Sequence, residues 1–343
     1  TASTLGYDST DLIDMYGEYF VKSPSDYIDV IALNQAIKGL GISGKNYRFI
    51  EAGSSVYYFN KNLEKLPNYI GSNTWDEFGF VGKNTTLQSY GGKFNALMRS
   101  QVNYWGEANN AVSNKFVVSG TKFVDCDTAV GIYSSYNSAI SDNIFRHCNY
   151  SVVLRWNLAT FISNNRFEGY DSVGLFVGHI PAFDDILTNT ASAYTYVINN
   201  RFFASNGAKK GIWIQEVNGV YIEQPIFEGG NPDYNVYIDY TGGGDLPFVT
   251  NTREIKIMSG HLENSPDSAC IYFEGGGKSL FIEKFYFQMP NSSPYIWSKG
   301  EHAGSRANIV CSNIPYWGAS KAFKSENTDW YFNDCAPIAG TVL

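Results

Sequence analysis

Apolar side chains return along this chain at intervals of two to three dozen residues, too long for a helix or a hairpin and regular enough to mark stacked coils. The stretches Asn114–Phe123, Tyr136–Phe145 and Ala159–Phe167 align without gaps. An apolar anchor ends each, and the series continues as Phe123, Phe145, Phe167, Phe202, Phe227, Leu262 and Phe287, in steps of 22, 22, 35, 25, 35 and 25 residues. Five residues before each anchor stands Val118, Ile140, Ile162, Val197, Ile222, Ile257 or Ile282. After each anchor comes a spaced pair: Val130/Ile132, Val152/Leu154, Val173/Leu175, Ile212/Ile214, Val236/Ile238, Ile271/Phe273 and Ile296/Ser298.

Alternation with period two puts one side chain inside and the next outside, so each coil carries three short strands. Coils of this length stack as a solenoid, each rung about 4.8 Å from the next. The fold class is all-β, a right-handed single-stranded parallel β-helix. Asn143, Asn165 and Asn200 recur at one bend, where Asn is expected to adopt the left-handed conformation and to hydrogen-bond its stacked neighbour. Residues 47–100 and 305–335 read as further, less regular coils.

An open solenoid end needs a cover. The stretch from Tyr27 to Gly39 has helical spacing, a Ser25/Asp26 start and a glycine stop, and predicts an N-terminal capping helix. The expected organisation is a lead segment over 1–25, the capping helix and its approach over 26–46, the β-helix over 47–335 and a tail over 336–343.

The capping segment Ala32-Leu-Asn-Gln-Ala-Ile37, the Ile50-Glu-Ala-Gly-Ser-Ser-Val-Tyr57 segment and the Ile-x-Asn-Asn-x-Phe coils together resemble the pectate-lyase-like β-helix superfamily. Within it the chain resembles bacteriophage tailspikes and capsule depolymerases. That resemblance implies a homotrimer on a virion tail, acting outside the cell on bacterial surface polysaccharide; otherwise the chain would be secreted. No short catalytic motif carries over, so the site rests on placement.

Composition narrows the partners. The net charge is −8 and no basic block occurs, which argues against nucleic acid and against an anionic membrane surface. No apolar run is long enough to span a bilayer. The start Thr1-Ala-Ser-Thr4 has no signal-peptide profile and reads as a processed form or a cut fragment. Five scattered Cys and four isolated His offer neither a disulfide framework nor a metal cluster, so no cofactor and no metal are expected. Cys126 and Cys148 share one position a coil apart, and a reduced ladder is expected there.

The candidate site lies where the long steps fall. Extra residues near 178–194 and 240–251 follow the third strand and would wall its outer face. Between the inward pairs, the outward column reads Gly131, Val153, Gly174, Trp213, Tyr237, Tyr272, Trp297. The next reads Tyr133, Arg155, Phe176, Gln215, Asp239, Glu274, Lys299, with Glu216 adjoining Gln215. Rings beside carboxylates suit an extended sugar chain, whose apolar faces pack on aromatics; the same ladder would also suit a subunit interface. Trp213, Tyr237, Tyr272, Trp297 and Arg155 are the candidate binding residues. Asp239, Glu274 and Glu216 are the candidate catalytic acids of an endo-glycosidase working through a carboxylate pair. A polysaccharide lyase on a uronate-containing chain, with Arg155, Lys299, Tyr237 or His179 as base, and a non-catalytic receptor-binding β-helix are the alternatives. The groove reads as acid-leaning, which favours hydrolysis. Glu168, Glu228 and Glu263, near Arg166, Arg201 and His261, form a second acidic column of lower rank.

Overall fold

The structure, a computed structural model, describes residues 47–51, 56–59, 77–89, 98–99, 115–178, 192–215, 217–239, 254–274, 279–288, 293–300, 306–315 and 323–335. The expected capping helix, lead segment and tail lie outside these residues, as do both long insertions and Glu216. Every regular element among the described residues is a β-strand, and every strand pairing is parallel. The chain is a right-handed parallel β-helix.

Three sheets run along the axis. In one central coil, sheet A takes Ala193–Ile198, sheet B takes Arg201–Ala204 and sheet C takes Lys210–Gln215. The next coil repeats them as Asn218–Glu223, Ile226–Glu228 and Tyr234–Asp239. Stacking extends beyond the regular array at both ends. Tyr47–Glu51 pairs with the strand beginning at Glu77, and Ala307–Ser312 pairs with Thr328–Asn333.

The recurrent apolar positions fill the interior. Phe123, Phe145, Phe167, Phe202 and Phe227 are fully buried, and successive ring centroids stand 5.1, 5.1, 4.6 and 5.1 Å apart. Leu262 and Phe287 continue the stack. Each ring loses water on both faces and gains a neighbour at contact distance, so truncating one to Ala costs about 3–5 kcal/mol. The residues from Val118 to Ile282 form the matching inner column of sheet A.

The A–B corner divides its two tasks between adjacent residues. The left-handed residue is the one preceding each expected Asn: Asp142, Asn164 and Asn199, with φ of 58°, 56° and 52°. Asn143, Asn165 and Asn200 instead turn inward and form a buried amide ladder. The Asn165 carbonyl oxygen accepts from the Asn143 backbone and side-chain N–H groups, each at 3.0 Å. Its own amide donates to Ile140 O at 2.8 Å and to Asn200 Oδ1 at 3.0 Å. An inward polar residue is tolerated here because the partner supply repeats with the coil.

One expected pairing is shifted. Leu175 and Val177, rather than Val173 and Leu175, stack between Val152/Leu154 and Ile212/Ile214. The register breaks between Glu168 and Tyr170, where Gly169 has φ of 62°. Such a bulge adds a residue to the corner and leaves no apolar mark in the sequence. The outward column consequently reads Gly131, Val153, Phe176, Trp213, with Phe176 in the place expected for Gly174.

Candidate functional site

Sheet C holds the expected constellation on adjacent rungs. Trp213 pairs with Tyr237, Tyr237 with Tyr272 and Tyr272 with Trp297; one column over, Gln215 pairs with Asp239, Asp239 with Glu274 and Glu274 with Lys299. Arg155 lies in the same outer column, separated from Gln215 by the rung of Gly178. Phe176 extends the ring column but is fully buried, in a small cluster with Val153 and Val173.

The rings do not form a flat strip. Tyr237 and Tyr272 stack at 4.7 Å and 11°, whereas Trp213 stands at 85° to Tyr237 and Trp297 at 90° to Tyr272. The tyrosines therefore spend their faces on each other, and the two indoles turn a face away from the stack. Tyr272 is only 6% exposed.

Cations cap the indoles. The Lys210 ammonium lies 4.1 Å from the Trp213 ring centroid and 4.5 Å from that of Tyr237; Lys324 lies 3.5 Å from the Trp297 centroid. Such contacts are worth about 0.5–2 kcal/mol, the more so when desolvated. Burial pushes the Lys210 ammonium below the usual lysine value, against the opposing pull of Asp233 and Asp239. Lys209, Lys210, Lys299 and Lys324 on this side are matched by Asp233, Asp239, Glu274 and Glu326, so the described part of the groove is balanced in charge and not acid-leaning as the sequence columns alone suggested.

Glu274 is held at both carboxylate oxygens. The Tyr272 hydroxyl donates to Oε2 and the Lys299 ammonium to Oε1, each at 2.7 Å. That hydrogen bond, together with the opposite charge, raises Lys299 above its ordinary value. Burial raises the phenols of both Tyr237 and Tyr272, helped by Asp239 for the first and by the hydrogen bond to Glu274 for the second. Neither phenol nor the paired Lys299 is suited to accept a proton near neutral pH. His179 and Glu216 lie outside the described residues.

The second acidic column is broken by Phe203, which pairs with Glu168 on one side and Glu228 on the other. Glu168 is clasped by Arg146 and Arg166, each at 2.7 Å. Glu263 bonds His261 at 2.8 Å. Of these contacts only Arg146–Glu168 crosses from one coil to the next and ties the two together; Arg166–Glu168 and His261–Glu263 join residues two apart on one coil. All five Cys are free thiols, and burial raises Cys126 and Cys270 above the usual thiol value. No group of three or more potential metal ligands occurs among the described residues.

A further outward ladder, on sheet A, escaped the sequence reading. Phe161, Tyr196 and Tyr221 stack at 4.8 and 5.3 Å with interplanar angles of 10° and 12°, followed by Lys256, Phe281, Val310 and Tyr331. Its signal was present as one more alternating column, outward of the inner residues Ile162 to Ile282.

Residues 106–253 match the family model described as the right handed beta helix region. No curated protein matches the chain. Among solved structures, the surface adhesin PfbA of Streptococcus pneumoniae aligns with a TM-score of 0.50 at 11% identity, over 91% of this chain and 88% of the adhesin. The A-module of a mannuronan C-5 epimerase from Azotobacter vinelandii aligns with a TM-score of 0.48 at 10% identity, over 89% and 90% of the two chains. An exopolygalacturonase from Thermotoga maritima gives 0.40 at 10% identity, over 88% and 87%. Strand topology and the family-model match agree on the class, a right-handed parallel β-helix protein.

Proposed function

We propose that the chain binds an extended polysaccharide along sheet C and cleaves it internally, as a glycoside hydrolase with Asp239 and Glu274 as its carboxylate pair. The observation that carries this reading is the direct pairing of Asp239 with Glu274 on adjacent rungs, beside a column of four aromatic residues. Backbones about 4.8 Å apart let the two carboxyl groups splay to separations of about 5–9 Å, which cover both retaining and inverting hydrolysis. Glu274, anchored by Tyr272 and Lys299, suits the role of nucleophile or charge stabiliser, because both anchors fix its position and orientation. Asp239 takes proton transfer. Glu216 remains a candidate second partner for Asp239, and Arg155 a contact farther along the groove. The setting we favour is a tailspike-like homotrimer acting on bacterial surface polysaccharide outside the cell.

The lyase reading has one observation in its favour: the lysines on this face, with Lys210 held over the Trp213 and Tyr237 rings, would neutralise the carboxylate of a uronate chain. Isosteric variants separate the two. Under the hydrolase reading, Asp239→Asn and Glu274→Gln each reduce turnover by about 10²–10⁴-fold and keep oligosaccharide affinity, because the amide preserves shape and loses the charge or the proton. Full activity in both variants would show the carboxylate pair misassigned. Products carrying unsaturated ends would assign the lyase.

A further inference from the structure

We propose that the ligand of the sheet C face is an anionic polysaccharide, and that Lys210 and Lys324 are the residues that select it by taking its acidic groups. This rests on the glycan-binding reading of the same face and adds the ligand's charge.

The lysines on this side fall into two sets. Lys209 pairs with Asp233 at 3.3 Å and Lys299 with Glu274 at 2.7 Å. Lys210 and Lys324 lie on ring faces instead, and among the described residues neither has a carboxylate within 4 Å. A cation held on a π-face keeps its N–H donors, and the ring supplies no lone pair to receive them. Lys210 is also partly buried, at a cost that an incoming anion would offset. Glu274, by contrast, has both oxygens engaged and projects no uncompensated charge into the groove.

A second observation points the same way. Trp213 Nε1, Trp297 Nε1 and Gln215 Oε1 are buried without hydrogen-bond partners, and all three belong to the two outward columns of this face. A buried group left unpaired costs about 1–3 kcal/mol. Two of the three are donors with no exposed surface of their own, so a ligand meets them only where covering side chains move aside, and carboxylate, sulfate or phosphate oxygens would then satisfy them.

The spacing sets the ligand's size. Trp213 and Trp297, the rings that Lys210 and Lys324 cap, are three rungs apart, which is roughly 14 Å at about 4.8 Å per rung. A single charged sugar does not bridge that distance, whereas a polymer with a recurring acid does. The chain's overall charge of −8 opposes a polyanion at long range, so local cations must carry the preference.

The test is binding of the full chain to an array of purified bacterial capsular and O-chain polysaccharides. Each acidic member is also present after carbodiimide and borohydride reduction of its carboxylates. Acidic members are expected to bind, with the carboxyl-reduced forms at least tenfold weaker. Lys210→Met and Lys324→Met, which keep the stem on the ring, are each expected to weaken the acidic polymer about tenfold while leaving the circular dichroism spectrum and binding of the reduced form unchanged. Equal binding of acidic and reduced forms, or binding confined to neutral members, would overturn the charge assignment and leave the glycan reading standing. Binding to no member would overturn both.

Discussion

At the residue scale the sharpest contrast is between polar groups that the coil repeat satisfies and those it leaves alone. The Asn165 side chain accepts two hydrogen bonds and donates two, all to the neighbouring coils. Asn165→Leu removes all four and strands at least two buried groups at about 1–3 kcal/mol each, so a loss of at least about 2 kcal/mol is expected in denaturant unfolding. Tyr170, fully buried with its hydroxyl unpartnered, runs the other way. Tyr170→Phe deletes only an unsatisfied group and is expected to be neutral or stabilising by up to about 1 kcal/mol. A marked loss in that variant would mean that the phenol bonds a group the structure does not show.

The Asn positions were legible in the sequence because they recur at one offset from each Phe. Their conformation was not: Asp142, Asn164 and Asn199 are equally polar, and which of two adjacent residues turns left-handed depends on which side chain finds a partner inside. The Gly169 bulge was illegible for a related reason, since an added corner residue changes register without changing the apolar pattern.

At the scale of the strand and its neighbours, period-two alternation made the three sheets and their outward columns readable, and with them Trp213, Tyr237, Tyr272, Trp297, Asp239 and Glu274. It could not supply ring tilt or the reach of a lysine over a ring, so the indoles capped by Lys210 and Lys324 emerge only in three dimensions. This cluster also has a signature in alkali. Burial raises Tyr237 and Tyr272, so the folded state holds their protons more tightly than the unfolded chain does. Their contribution to stability is complete below about pH 10, the ordinary tyrosine value, and is lost as pH rises through the folded values. Thermal midpoints of the parent are expected to fall above that pH more steeply than those of the Tyr237→Phe/Tyr272→Phe double variant. Parallel curves would mean that the two phenols titrate normally. Tyr170, Cys126 and Cys270, raised in the same sense, leave a residual slope in both proteins.

At the scale of the whole molecule, two outward aromatic ladders divide the surface. On sheet A three rings, Phe161, Tyr196 and Tyr221, stack nearly parallel, so the faces between them are consumed and mainly edges remain for a partner. Phe161 and Tyr331 are 44% and 53% exposed there. Ring edges and aliphatic neighbours suit packing against protein better than stacking on sugars, which makes sheet A the face for subunit contact in the proposed trimer and leaves sheet C for the ligand. Sedimentation at micromolar concentration is expected to give a trimer, and Phe161→Lys to shift it toward monomer; a monomeric parent would contradict the trimer while leaving the sheet C site intact.

Sheet C is proposed both to hold and to cut a polysaccharide. The most direct measurement is the chain length of each polymer that the protein binds, followed by size-exclusion chromatography during incubation, with ultraviolet absorbance monitoring unsaturated ends. Average length is expected to fall early and steeply, as internal cleavage requires, with new reducing ends, no unsaturated product and no change in the presence of Glu274→Gln protein. A bound polymer whose length never changes would contradict it and make the β-helix a receptor-binding module.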